Sequence, residues 1–413
     1  MKKSVLRAYA HLIAAKGGAV GKGQEVNIYA SIEQPEFVTM VAEECYKCGA
    51  KKVTVDWSYQ PLTKLNYRKR SLRTLSKTED WEIEKLRWKT DVLPVQIYLE
   101  SDDPDGLKGI NQAKISKSSQ ARYKVTKPFR DAMENRYQWC IAAVPGAAWA
   151  KKVFPGLPKR QAMEKLWEAI LMTSRVDTSV ANPDPVAAWD AHNADLTTRY
   201  NYLNSLDITA LEYKSANGTD FRVGMIPGAL FMGGSEKVLG NEVWYNPNIP
   251  SEEIFTSPRK GDAEGIVYAS KPLSYRGQLI EHFSVRFEGG KAVEVHAEKG
   301  EDLLREMIGM DKGAAYLGEV ALVPYDSPIR NSGVLFYNTL FDENAACHLA
   351  LGAGFTNVLP GFDKITLQEC YDKGVNDSMI HVDFMIGNED LSIVALTRDG
   401  KRVQIFKNGN WAF

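Results

Sequence analysis

The chain has 413 residues, 44% of them apolar, with 51 basic against 52 acidic side chains and a formal net charge of −1. Charge this evenly balanced excludes a general nucleic-acid footprint and a membrane-surface protein, and no apolar run is long enough to span a bilayer. The length predicts two or three domains with ample core, and five cysteines, an odd number, predict a reducing, cytoplasmic setting rather than a disulfide framework.

The amino terminus, Met1 to His11, reads as part of an amphipathic helix running on from Val5 to Ala15, with no signal-peptide core behind it. A short strand follows at Glu25–Tyr29, then a helix over Glu36–Cys48 ended by Gly49, then a strand at Lys52–Asp56. After two further helical stretches come strands at Leu93–Leu99 and Gln138–Val144, separated by a long helix, and helices over Lys159–Thr173 and Pro185–Leu203. Strands alternating with helices imply a mostly parallel sheet covered on both faces.

Three features of this half invite functional readings that their chemistry does not support. Gly17–Lys22 resembles a phosphate loop only faintly, because the spacing is short and Gly23 stands where a Ser or Thr is needed. It also follows a helix and precedes a strand, the reverse of the order that phosphate binding requires. Cys45 and Cys48 form a CxxC at a helix end, without a second pair to complete a zinc site. The basic run Tyr67–Arg73 reads as a solvated helix face.

From about Ile208 the pattern changes. Segments at Leu211–Ser215 and Asp220–Gly224 flank Asn217-Gly218, a strong hairpin signature, and further strands follow at Gly265–Ser270, His282–Phe287 and Ala292–His296. The predicted architecture is an α/β N-terminal domain with a mostly parallel sheet, residues 1–205, then an α+β C-terminal domain rich in antiparallel strands, residues 206–413.

The chemistry gathers in the second domain. In the predicted strand Met379–Ile386, residues Ile380, Val382, Phe384 and Ile386 share one face while His381 and Asp383 share the other. Buried without partners, two such groups cost about 1–3 kcal/mol each, so they form either a hydrogen-bonded core pair or ligands of a divalent metal. Phe341–Gly352 reads as a helix capped by Asp342, which buries His348 among small apolar neighbours and leaves Glu343 in the first turn, free to swing toward the same site. Glu319 is the one charge in the strand Tyr316–Val323, where an ionised carboxylate needs a cation. The proline-stiffened loop Pro247–Pro258 carries Glu252 and Glu253, between which the residues alone do not choose. His11, His192, His282 and His296 read as structural or surface residues. A carboxylate-rich set with two histidines suits a pair of divalent ions sharing a bridging carboxylate.

Asn248–Pro258, Gly318-Glu319-Val320, Asn338–Glu343 with Cys347–Gly352, and His381–Met385 resemble the aminopeptidase T family of two-metal exopeptidases, over essentially the whole chain. The resemblance implies metal ligands at Glu253, Glu319, Glu343, His348, His381 and Asp383, with Glu319 bridging. The carboxylate bias of that set favours borderline or hard ions, zinc, cobalt, manganese or magnesium. The resemblance further implies small peptides as substrates and a homodimer with an enclosed site. One departure stands out: a tyrosine is expected seven residues after His348, and Phe355 occupies that position, without a hydroxyl to donate to an oxyanion. The function expected is removal of the first residue from peptides with a free α-amine, by a metal-activated water with Glu252 as candidate general base. The alternatives are a two-metal phosphoesterase and a non-catalytic metal-binding protein.

Overall fold

A computed structural model describes all residues, Met1–Phe413, and divides them into two compact units. The first comprises Met1–Ala194 with Gly234–Ser251, and the second comprises Asp195–Gly233 with Glu252–Phe413.

The first unit holds a five-stranded parallel sheet in the order Asn248–Ile249, Trp139–Ala143, Val95–Glu100, Glu25–Ser31 and Lys52–Ser58. Helices alternate with these strands, as the sequence pattern predicts for a parallel sheet. The one strand the pattern does not announce is Asn248–Ile249, which is too short to show any period.

The second unit contains two antiparallel sheets. The larger has nine strands and includes the hairpin Ile208–Lys214 with Asp220–Met225 across the Asn217-Gly218 turn, where Gly218 takes the left-handed φ of 103°. The smaller runs in the order His381–Met385, His348–Gly352, Leu317–Leu322, Ile254–Thr256 and Met232–Gly233. One apolar core lies between the two sheets: Leu211, Phe221 and Phe283 come from the larger, and Val320, Leu322, Leu349, Leu351, Val382 and Phe384 from the smaller.

Two expectations are revised. Instead of one boundary at 205/206, the chain leaves the first unit within the helix Pro185–Ser205, returns over Gly234–Ser251, and leaves again before Glu252. Leu196 and Leu203 explain the earlier crossing, because the last turns of that helix pack into the core of the second unit. The helix predicted over Phe341–Gly352 is absent. A four-residue helix, Thr339–Asp342, and a 3₁₀ turn, Glu343–Ala345, lead into the strand His348–Gly352. That strand is buried at every position, so its run of Leu and Ala shows no alternation and imitates a buried helix. Asp342 ends the short helix rather than capping it, and its carboxylate accepts from the backbone N–H groups of Phe336 (2.9 Å) and Asn338 (3.1 Å).

Candidate metal centre

Strand parity builds the site. Glu319 lies opposite Ala350, Ala350 opposite Asp383, and Gly352 opposite His381. Residues opposite one another share a face, so Glu319, His348, His381 and Asp383 project from the side away from the apolar core. Ala350 and Gly352, between them, are small and leave room among these side chains. On the neighbouring strand Phe255 pairs with Ala321, on that same face, and Glu253 stands two residues before Phe255.

The polar groups meet in two clusters. Glu253, Glu319 and His348 bring one ligand atom each within 4.8 Å of one another, and so do Glu319, His381 and Asp383. Glu319 belongs to both. His348 Nε2 lies 3.2 Å from Glu253 Oε2, while His381 Nε2 lies 3.0 Å from Glu319 Oε2 and 3.2 Å from Asp383 Oδ1. Each imidazole turns its other nitrogen to a backbone carbonyl: His348 Nδ1 to Ala346 at 3.2 Å and His381 Nδ1 to Ala353 at 2.7 Å. A proton held at Nδ1 leaves Nε2 as a lone-pair donor facing the carboxylates, the orientation that metal ligation needs.

The remaining expected residues fall around these five side chains. Glu343 lies outside both clusters but against Asp383, whose charge and hydrogen bond act on it, and its Oε1 accepts from Asn344 Nδ2 at 3.3 Å. Glu252 is buried and outside the clusters, its backbone N–H donating to Asn344 Oδ1 at 2.6 Å. The ring of Phe355 packs 5.0 Å from that of His381 and 5.0 Å from that of Phe255. Of the other histidines, His11 pairs with Glu44 at 3.2 Å, His192 lies 2.8 Å from the Ser251 carbonyl, and His296 pairs with Glu301 at 3.0 Å.

Electrostatically the cluster is under-neutralised. Burial, together with the charges of Glu253 and Asp383, raises the Glu319 carboxyl to about 7 despite its bond to His381. Burial and the charges of Asp383, Glu253 and Glu319 push Glu343 well up. Burial opposes charging His348, but the hydrogen bond and charge of Glu253, with Glu319 and Asp383 behind it, hold its pKa at about 9. His381 is likewise raised against burial, by Asp383 and Glu319. Asp383 is lowered to about 2, since both imidazoles outweigh its burial. Its Oδ1 is buried, with His381 Nε2 at 3.2 Å but no well-formed hydrogen bond. Carboxylates that repel one another, oriented imidazoles and an unsatisfied buried oxygen together fit a site built for cations.

A family model described as thermophilic metalloprotease (M29) matches residues 2–411. The chain belongs to the M29 metalloprotease family. The enzyme is 40% identical to aminopeptidase AmpS of Bacillus subtilis over 410 residues, covering 99% of this chain and 98% of that one. It is 39% identical to aminopeptidase T of Thermus thermophilus over 410 residues, again covering 99% and 98%. A solved structure of wild-type AmpT from Thermus thermophilus superposes with a TM-score of 0.88 at 38% identity, covering 100% of both chains. The enzyme is therefore a metallo-aminopeptidase, a hydrolase acting on peptides, and the resemblance read from its motifs is borne out. A phosphoesterase or a non-catalytic protein does not fit this membership. No helix is long and apolar enough to cross a membrane.

Sequence reasoning missed the groups that hold the candidate ligands in place. Asn344, bonded to Glu343 and to the Glu252 backbone, stands directly after the Asn338–Glu343 motif. The carbonyls of Ala346 and Ala353 have no side-chain signature at all.

Proposed function

We propose that the enzyme removes the first residue from peptides with a free α-amine, using two divalent ions. Glu253 and His348 would hold one, His381 and Asp383 the other, and Glu319 both, with Glu343 completing the set beside Asp383. The observation that carries this reading is the membership of Glu319 in both clusters. Charge supports it as well: the four carboxylates Glu253, Glu319, Glu343 and Asp383, with neutral imidazoles, balance two divalent cations. Such ions supply a nucleophilic water at neutral pH and polarise the scissile carbonyl.

The chain's own residues do the rest. The fixed imidazole tautomers keep Nε2 of His348 and His381 aimed at the site throughout turnover. Glu252, buried next to Glu253 and outside the ligand clusters, is the proposed general base that takes the proton of the attacking water. The substrate's free α-amine would be held at one of the two ions, which would confine cleavage to the first residue.

The test is a chelator-stripped preparation, re-metallated and offered matched peptides with free and acetylated amino termini. Cleavage should require metal and should be confined to the free-amine peptide. Rapid cleavage of the acetylated peptide, or full activity without metal, would overturn the reading.

Phe355 marks where an oxyanion donor is lacking. Its ring packs against that of His381, beside the candidate ligands. Phe355→Tyr should leave metal content unchanged and alter kcat more than KM, since a single oxyanion donor elsewhere is worth about 2.7–4 kcal/mol. An unchanged kcat would place this position outside the oxyanion site.

A further inference from the structure

The two histidine ligands are oriented by different means. His348 Nδ1 meets the carbonyl of Ala346, two residues back on its own strand approach, so its acceptor is local. His381 Nδ1 meets Ala353, a residue on the turn leaving the neighbouring strand. That carbonyl can orient the imidazole only if the turn Gly352–Phe355 is itself held.

Asn376 holds it from both sides. Its Nδ2 donates to the Gly352 carbonyl at 2.6 Å, and its own backbone carbonyl accepts from Gly354 N–H at 2.8 Å. A second bond from Nδ2 to the Gly313 carbonyl, 2.8 Å, anchors the amide in the body of the unit. The side chain is 1% exposed, and only an amide nitrogen can donate to two carbonyls at once, which fixes its orientation. Ser257 grips the far end of the turn, its Oγ accepting from Phe355 N–H at 2.7 Å. Ala353 N–H donates to the Ile380 carbonyl at 2.7 Å, tying the turn to the residue before His381. Gly318, next to Glu319, leaves room for the carbonyl: a Cβ there would come within 2.0 Å of the Ala353 oxygen.

We propose that Asn376 is a positioning residue for the metal centre, holding the Ala353 carbonyl where it keeps His381 Nε2 directed at the ion shared with Glu319 and Asp383. The inference rests on the two-ion reading above. It acts on one ion only, because the Ala346 carbonyl that orients His348 has no bond to Asn376.

The experiment titrates chelator-stripped, full-length protein with zinc against a chromogenic competitor. His381→Ala and His348→Ala serve as references that identify which binding step belongs to which ion. Asn376→Ala should weaken the His381 step by about 10–100-fold, the usual cost of losing a partner that orients a ligand, and leave the His348 step within about twofold. Equal weakening of both steps, or of neither, would overturn the proposal. If Asn376→Ala does not fold, Ser257→Ala decides by the same criterion, with a smaller shift of the same step expected. Wild-type protein that binds a single ion would overturn the two-ion reading instead. The positioning role would then be upheld only if Asn376→Ala weakens that ion as His381→Ala does.

Discussion

Glu319→Ala should release both ions and reduce peptide cleavage on the order of 10⁴-fold or more, whereas Glu252→Ala should keep both ions and lose about 10²–10⁴-fold. Glu319 is the only side chain common to the two clusters, so its loss opens both at once. A companion effect separates this from general damage. Burial, with the charges of Glu253 and Asp383, lifts Glu319 from an ordinary 4.5 to about 7 in the metal-free protein. A group whose folded pKa is raised stabilises the fold below its unfolded value and loses that contribution as pH rises through the folded one. At pH 8 the ionised Glu319 therefore opposes folding of the metal-free protein. Glu319→Gln, stripped of metal, should melt above stripped wild type at pH 8 while failing to regain metal. Elemental analysis of the two variants together with paired melting curves checks both parts. Equal impairment of Glu319→Ala and Glu252→Ala, both with full metal content, would remove the bridging role.

How far the site was readable depends on period. Alternation placed His381 and Asp383 on one face of their strand, and the same parity in the structure aligns them with Glu319 across Ala350. Glu319 was readable because a lone charge in an apolar strand has few physical explanations. His348 was recognised as buried for the right reason and put in the wrong element. Its strand lies between two others and is covered on both faces, and sequence period carries no information there. The choice of Glu253 over Glu252 needed the resemblance, because both sit in a loop without periodicity, and the structure places Glu253 alone against His348. The return of Gly234–Ser251 to the first unit was invisible for the same reason, its strands being two residues long. Asn376 lay outside every motif, since its role is to carry backbone rather than to touch an ion.

Metal affinity should climb steeply with pH between pH 6 and 8, by about tenfold per unit or more, with protons released to the buffer on binding. The sign follows from the imidazoles. In the metal-free protein His348 is raised from an ordinary 6.5 to about 9 by Glu253, Glu319 and Asp383, which overcome its burial, and His381 is raised by Asp383 and Glu319. His348 is therefore protonated at pH 7, and a proton on Nε2 of either imidazole occupies the lone pair an ion would take. Each proton displaced contributes about one factor of ten in affinity per pH unit. His348 supplies one, and Glu319, raised to about 7, with Glu343 and His381, both raised, adds to it. The same shift has an opposite consequence for the empty fold. The stability contributed by protonated His348 is complete below pH 6.5 and is lost as pH rises through about 9, so alkaline conditions that favour the ions weaken the protein without them. Calorimetric titration in buffers of differing ionisation heat counts the protons. His348→Gln should lower the count by about one, because the glutamine takes no proton. A flat affinity across this range would show that the imidazoles are neutral before metal arrives, and that the carboxylates around them are already compensated by some other charge.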